Sequence, residues 1–163
     1  MAGNSVKLEG QCACGSVSYR STVSAEHLDF CYCKICQQIG GGPFVAWMGI
    51  LKAALAWQGP TRSFVVNDLA TRTCCEKCGS TMTIQYHCYP QKTHVAAGSV
   101  ISGHETLPSP SMHIWISRKP AWYFIPSDGL LRYEEFDPEF DQVQRDFLAT
   151  ELGAAVVDGI QED

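Results

Sequence analysis

No stretch of the chain approaches the roughly 18 consecutive apolar residues of a membrane-spanning helix, which speaks against an integral membrane protein. Basic charge is also scarce. Twelve Lys and Arg stand against 17 Asp and Glu, giving a formal net charge of −5. The cations are scattered along the chain, which leaves no electrostatic footprint for nucleic acid. Met1 to Gly10 contain no apolar core of signal-peptide length. Repeats, low-complexity segments and linkers are missing too. The expectation is therefore a cytoplasmic protein with neither membrane nor nucleic acid as partner. Charged residues make up 18% and hydrophobic ones 45%, a balance that excludes a disordered chain. A length of 163 residues leads us to expect one domain over residues 1–150 and a loose acidic tail over 151–163.

Cysteine, by contrast, is abundant. Of nine in the chain, seven fall into three clusters: Cys12-Ala-Cys14, Cys31-Tyr-Cys33-Lys-Ile-Cys36 and Cys75-Glu-Lys-Cys78. In a reducing compartment such thiols are ligands or nucleophiles rather than disulfides, and an odd count fits a disulfide framework poorly. Seven thiols cannot close two four-thiolate zinc sites, but they can make one closed site and one open site of three. Structural zinc sites are filled by protein ligands, whereas catalytic ones keep a position open.

Spacing suggests how the thiols divide. Side chains two apart on extended backbone share a face, so Cys12 and Cys14 can reach one ion. Cys75 and Cys78 converge at a turn that Gly79 relieves. Joined through one zinc, these pairs would staple distant strands and carry folding free energy. In the middle cluster, Cys31 and Cys33 are expected on one strand face, with Cys36 returning from a turn. Three thiolates leave one coordination position for water, a thiol or an oxygen ligand. A thiol bound there is held deprotonated at neutral pH and becomes a nucleophile. Cys74 or Cys88 could instead complete a second closed site; otherwise both are small buried hydrophobes.

Short strands punctuated by glycine and proline predict a mainly β fold with one or two short helices. Strands are expected over 6–11, 16–20, 27–32, 44–50, 63–66, 70–74, 81–86, 94–97, 112–116 and 122–125, and a short helix over 51–55. Phe140, Val143 and Phe147 recur at helical spacing and predict a helix over 139–148.

The full pattern resembles the glutathione-dependent formaldehyde-activating enzyme (GFA/CENP-V) family. Gly10-Gln-Cys12-Ala-Cys14-Gly15-Ser-Val17-Ser-Tyr19 is similar to its opening CxCGxVxY motif, Cys31-Tyr-Cys33-Lys-Ile-Cys36 to CHCxxC, and Arg72-Thr-Cys74-Cys75-Glu-Lys-Cys78-Gly79-Ser80 to RxFCxxCGS. Gly98-Ser99, Pro108 to His113, Trp122 and Asp128-Gly129-Leu130 follow its closing pattern. The resemblance implies an Mss4-like, zinc-stapled β-tent with two Zn²⁺ per chain. Cys12, Cys14, Cys75 and Cys78 would hold a structural zinc, and Cys31, Cys33 and Cys36 a catalytic one. It also implies a carbon–sulfur lyase that joins a small carbonyl to a thiol of the glutathione type. Tyr32 replaces the motif's histidine and Cys74 its phenylalanine. Val100-Ile101 replaces the usual Leu-Asp, and Gln37-Gln38 replaces a frequent basic residue, which takes one cation away from the site.

Further candidates carry weaker signals. Gln38 could donate to a ligand near Cys36. His87 is the best placed of the acid–base candidates, while His94 and His113 read as internal hydrogen-bonding groups and His104 as solvated. Trp47, Tyr86, Trp115 and Trp122 could line a pocket or simply fill the core. Arg72 could meet a ligand carboxylate or an internal acid. Two other functions fit the same residues: an Mss4-like zinc module that binds a protein partner, and a thiol redox enzyme using Cys74 or Cys88.

Overall fold

The computed structural model describes residues 6–150, and the expected tail at 151–163 lies outside them. Along the described residues run β1 (Leu8–Gln11), β2 (Ser18–Ser21), β3 (His27–Cys31), α1 (Lys34–Gly40), β4 (Val45–Leu51), β5 (Leu55–Gln58), β6 (Thr61–Asn67), β7 (Ala70–Cys75), β8 (Thr81–Tyr86), β9 (Lys92–Ala96), β10 (Val100–Ser102), β11 (Met112–Ile114), β12 (Leu131–Arg132) and α2 (Pro138–Leu148). The strands form a four-stranded sheet in the order β10-β1-β2-β5 and an eight-stranded sheet in the order β12-β11-β3-β4-β9-β8-β7-β6. Pairing is antiparallel except at β11, which runs parallel to β3 and β12. The architecture is mainly β and matches the expected Mss4-like arrangement of cysteine-stapled sheets.

β4 lies between β3 and β9 and is apolar on both faces, as a fully covered strand should be. Met48 and Ile50 point into a core shared with Leu8 and Tyr19 of the smaller sheet and with Val17 just before β2. Trp47, one residue out of phase, joins a second core with Ile84, Tyr86 and Ala96. Phe140 of α2 covers that second core, its ring centroid 4.6 Å from that of Tyr86. The helix starts where Asp137 accepts from the backbone N–H groups of Glu139 and Phe140, with Pro138 in its first turn. Cys12 and Cys75 belong to the first core, Cys31 and Cys36 to the second. Each cysteine cluster is thus built into a different apolar layer.

Several expected elements differ. Residues 122–125 form no strand: Pro120 and Pro126 bracket them, removing backbone donors, and Trp122 and Phe124 are exposed. The helix expected over 51–55 shrinks to a 3₁₀ turn, Lys52–Ala54, between β4 and β5. α1, β5, β10 and β12 lack a sequence signal because they are short and only partly buried.

Candidate metal centres and the cavity beside them

Cys12 and Cys14 sit on the turn after β1, not on extended strand as the spacing suggests. The turn closes through Gly15, at φ 72°, whose N–H donates to the Cys12 carbonyl at 3.0 Å. The Val17 N–H donates to Cys12 Sγ at 3.2 Å. On the other hairpin, Cys75 ends β7 and Cys78 lies in the turn to β8. Gly79, at φ 74°, donates to the Cys75 carbonyl at 2.9 Å. Positive φ at this point is the reason the turn needs glycine. The two turns also bond directly, because Ala13 N–H donates to Ser80 Oγ at 3.1 Å.

All four sulfurs lie within 4.8 Å of one another. The Cys12–Cys14 and Cys14–Cys75 Sγ separations are 3.5 and 3.8 Å. A tetrahedral zinc with bonds of about 2.3 Å sets its sulfurs about 3.8 Å apart. The donor set and its spacing therefore fit a closed metal site.

The second cluster is local. Cys31 ends β3, and Cys33 caps α1 with Sγ accepting from the Cys36 N–H at 3.4 Å. Cys36 therefore returns on a helical turn. Trp47 Nε1–H donates to Cys36 Sγ at 3.4 Å. The three sulfurs lie within 4.8 Å of one another, and no His, Cys, Asp or Glu among the described residues adds a fourth ligand atom. Cys74 is buried on β7 outside both groups; Cys88 packs against the second core without joining the sulfurs. Hydrogen bonds from Cys31 and then Cys36 hold the Cys33 thiol well below its ordinary value, with the Arg72 charge adding to the effect. Cys31 and Cys36, which share hydrogen bonds with it, are shifted upward.

A cavity of about 280 Å³ opens onto these three thiols. Ile35, Trp115 and Phe136 give it apolar walls, while Lys34, Asn67, Arg72 and Arg118 bring polar groups. Arg72 and Arg118, far away in sequence, thus supply cations in place of the one lost at Gln37-Gln38. Gln37 instead serves the backbone, because its Nε2 donates to the carbonyls of Tyr32 and Arg118 and ties the Arg118 segment to α1. Trp115 is the one non-glycine residue at positive φ (63°) among the described residues, and no sequence signal foretells it.

The remaining candidates are dispersed. Gln38 is exposed and lines none of the cavities described. His87 spends both ring nitrogens internally, on the Asp68 carbonyl and the Thr71 hydroxyl. His104 is exposed, as expected. His94 is buried against His27 and Tyr86, and burial pushes its pKa down to about 3. His113 bridges Tyr32 and Asp128 at 3.0 Å on each side. An ionised carboxylate only accepts, so Nε2 carries the proton and Nδ1 accepts from the Tyr32 hydroxyl. Tyr32, standing where the family motif has histidine, thus anchors the backbone between Cys31 and Cys33. Trp47, Tyr86 and Trp115 line cavities; Trp122 does not.

No helix among the described residues is long and apolar enough to cross a membrane. A search of curated proteins found no match. Among solved structures, a Rhodobacter sphaeroides protein from a structural-genomics programme is similar at 18% identity and a TM-score of 0.45, covering 77% of this chain and 98% of its own. The family model for the glutathione-dependent formaldehyde-activating enzyme matches residues 7–118, a span holding every thiol of both clusters and the cavity cations Lys34, Arg72 and Arg118. The chain belongs to that family.

Proposed function

We propose that the protein is a zinc-dependent carbon–sulfur lyase or adduct-forming enzyme, acting on a small carbonyl and a thiol of the glutathione type. One observation carries this reading: the three-thiol cluster lacks a fourth protein ligand among the described residues and lies open to a cavity, whereas the other cluster has four sulfurs. Cys12, Cys14, Cys75 and Cys78 would hold a structural zinc, and Cys31, Cys33 and Cys36 a catalytic one, two per chain. A zinc held by Cys31, Cys33 and Cys36 would supply a charge that favours thiolate over thiol and would polarise a carbonyl.

The chain's own groups do the rest. Trp47 N–H supports the Cys36 sulfur, and the Arg72 guanidinium adds positive potential beside Cys33. Trp115, Phe136 and Ile35 exclude water from one side of the reacting pair. In the reaction, the thiol sulfur bonds to the carbonyl carbon, the carbonyl π bond breaks, and the thiol proton ends on the new hydroxyl. No redox change occurs. A redox role for Cys88 finds no support, because burial pushes that thiol up instead of down.

Metal analysis, with zinc-edge absorption to count sulfurs, and the rate of S-hydroxymethyl adduct formation from formaldehyde and glutathione test the reading together. Cys33→Ser is expected to lose the adduct activity and one metal equivalent while keeping the circular dichroism of the parent. Unchanged activity in Cys33→Ser, or two zincs with four sulfurs each in the parent, defeats it.

A further inference from the structure

A second cavity, of about 250 Å³, shares Tyr86 and Phe136 with the one over the thiols but is lined by no cysteine. Asp29 of β3, Trp47 of β4 and His94 of β9 form its sheet side. Phe136, Asp137, Glu139 and Phe140, at and before the start of α2, close the other side. Those four lie beyond residues 7–118, so the family pattern does not dictate what this cavity holds.

His94 is 8% exposed, and its Nδ1 is buried without a hydrogen-bond partner. A polar atom in that position has lost water and gained nothing in return. Burial keeps the ring neutral, so it offers one N–H and one lone pair. The backbone group that bears on it is the Ile84 carbonyl across the β8–β9 pair, which can only accept. The ring's N–H therefore belongs on that side, and its lone pair is left for a donor from the cavity.

The carboxylates add charge to that demand. Asp29 and Asp137 approach from different elements closely enough to repel each other. Asp29 meets the Ser111 hydroxyl and, at 3.6 Å, His27 Nε2. Asp137 and Glu139 form no ion pair among the described residues, and the lining cation Lys92 is held by Glu26 at 2.7 Å. The rings of Trp47, Tyr86, Phe136 and Phe140 supply an aromatic surface that suits the hydrocarbon part of a cation. A neutral alcohol would satisfy His94 and leave the carboxylates unmet; a quaternary ammonium would do the reverse. A protonated amine does both.

We propose that this cavity is a binding site for a small protonated amine with an apolar substituent, its N–H groups donating to His94 and to the carboxylates of Asp29 and Asp137 while the aromatic rings hold the substituent. The site stands apart from the thiol chemistry and binds the amine without transforming it.

Benzylammonium, benzyl alcohol and benzyltrimethylammonium share one ring and separate the charge from the N–H. Each is titrated calorimetrically into the protein as purified, at pH 7, while the ¹⁵N signals of the His94 ring are followed. Benzylammonium is expected to bind saturably, to shift the His94 signals, and to outbind both analogues by about tenfold or more. Asp29→Asn combined with Asp137→Asn keeps acceptor oxygens for Ser111 and for the α2 cap, and is expected to weaken benzylammonium by a similar factor. His94→Phe should narrow the gap between benzylammonium and benzyltrimethylammonium. Equal binding of benzyl alcohol and benzylammonium to the parent protein makes the cavity merely apolar and overturns the proposal. So does the absence of saturable binding, or an unmoved His94 signal. Benzylammonium binding that is lost in Cys33→Ser but unchanged in the double asparagine variant would place the amine on a metal, and overturns it as well.

Discussion

The two cysteine clusters differ in how much chain they tie together, and that difference has a measurable size. Cys14 and Cys75 are 61 residues apart, whereas Cys33 and Cys36 are 3 apart. Treated as cross-links, a 61-residue loop removes about 4 kcal/mol of unfolded-state entropy. A loop of a few residues removes about 2 kcal/mol. Replacing Cys75 and Cys78 together by serine takes both cluster thiols off one hairpin, so the long staple is lost whole. Replacing Cys33 and Cys36 together does the same to the local site. Each pair includes one sulfur-bearing residue that is 1% exposed, Cys75 and Cys36 respectively, so the cost of burying a serine hydroxyl largely cancels. The hairpin variant should therefore be less stable than the local variant by about 2 kcal/mol, or several degrees in melting temperature. Thermal unfolding by circular dichroism, with metal content measured on the same samples, checks this. If the two double variants melt together, or the local variant melts first, the assignment of the stapling role to the four-thiol cluster is wrong.

Two further perturbations are informative. Trp47→Phe removes the N–H donor to Cys36 Sγ and is expected to weaken metal binding at the three-thiol site by about tenfold or more; chelator competition reads this, and an unchanged affinity refutes the support role. His94 is held neutral in the fold, with a pKa of about 3 against 6.5 for the free side chain. The unfolded chain therefore binds a proton that the folded chain refuses, so stability is full above pH 6.5 and falls as pH drops toward 3. His94→Phe should flatten that loss by about 1.4 kcal/mol per pH unit in denaturant unfolding at pH values below about 6; parallel pH profiles would sink this account.

The two thiol clusters are legible in the sequence because their spacing is local. Two or three sulfurs of each cluster come from one short segment, so their spacing survives in one dimension. The backbone beneath is less legible. Cys12 and Cys14 look like strand residues, yet their turn is made by Gly15 and the hydrogen bonds to Cys12. α1 gives no amphipathic signal because it is seven residues long and its buried position is a cysteine. The cavity's charge is the least visible of all. Arg72 reads as a motif residue that could meet a ligand carboxylate or an internal acid, and no sequence signal singles out Arg118. Only the pairing of β7 within the large sheet and the Gln37 bond to the Arg118 carbonyl bring them to the same opening. His113 is the internal hydrogen-bonding group that its apolar strand suggests, but its partners Tyr32 and Asp128 lie 81 and 15 residues away, beyond the reach of any local pattern.

The two clusters also differ in when they can exist. As the chain leaves the ribosome, Cys31, Cys33 and Cys36 emerge within six positions, on a segment that needs only the first turn of a helix to gather them. Cys12 and Cys14 must wait for Cys75 and Cys78, and for the smaller sheet to dock on the larger. If both clusters take up metal, topology orders its capture: the local cluster can load on a nascent chain, and the long-range cluster only once its two hairpins have met. Were that order to hold, a shortage of metal would leave the local thiols filled and the two sheets unfastened.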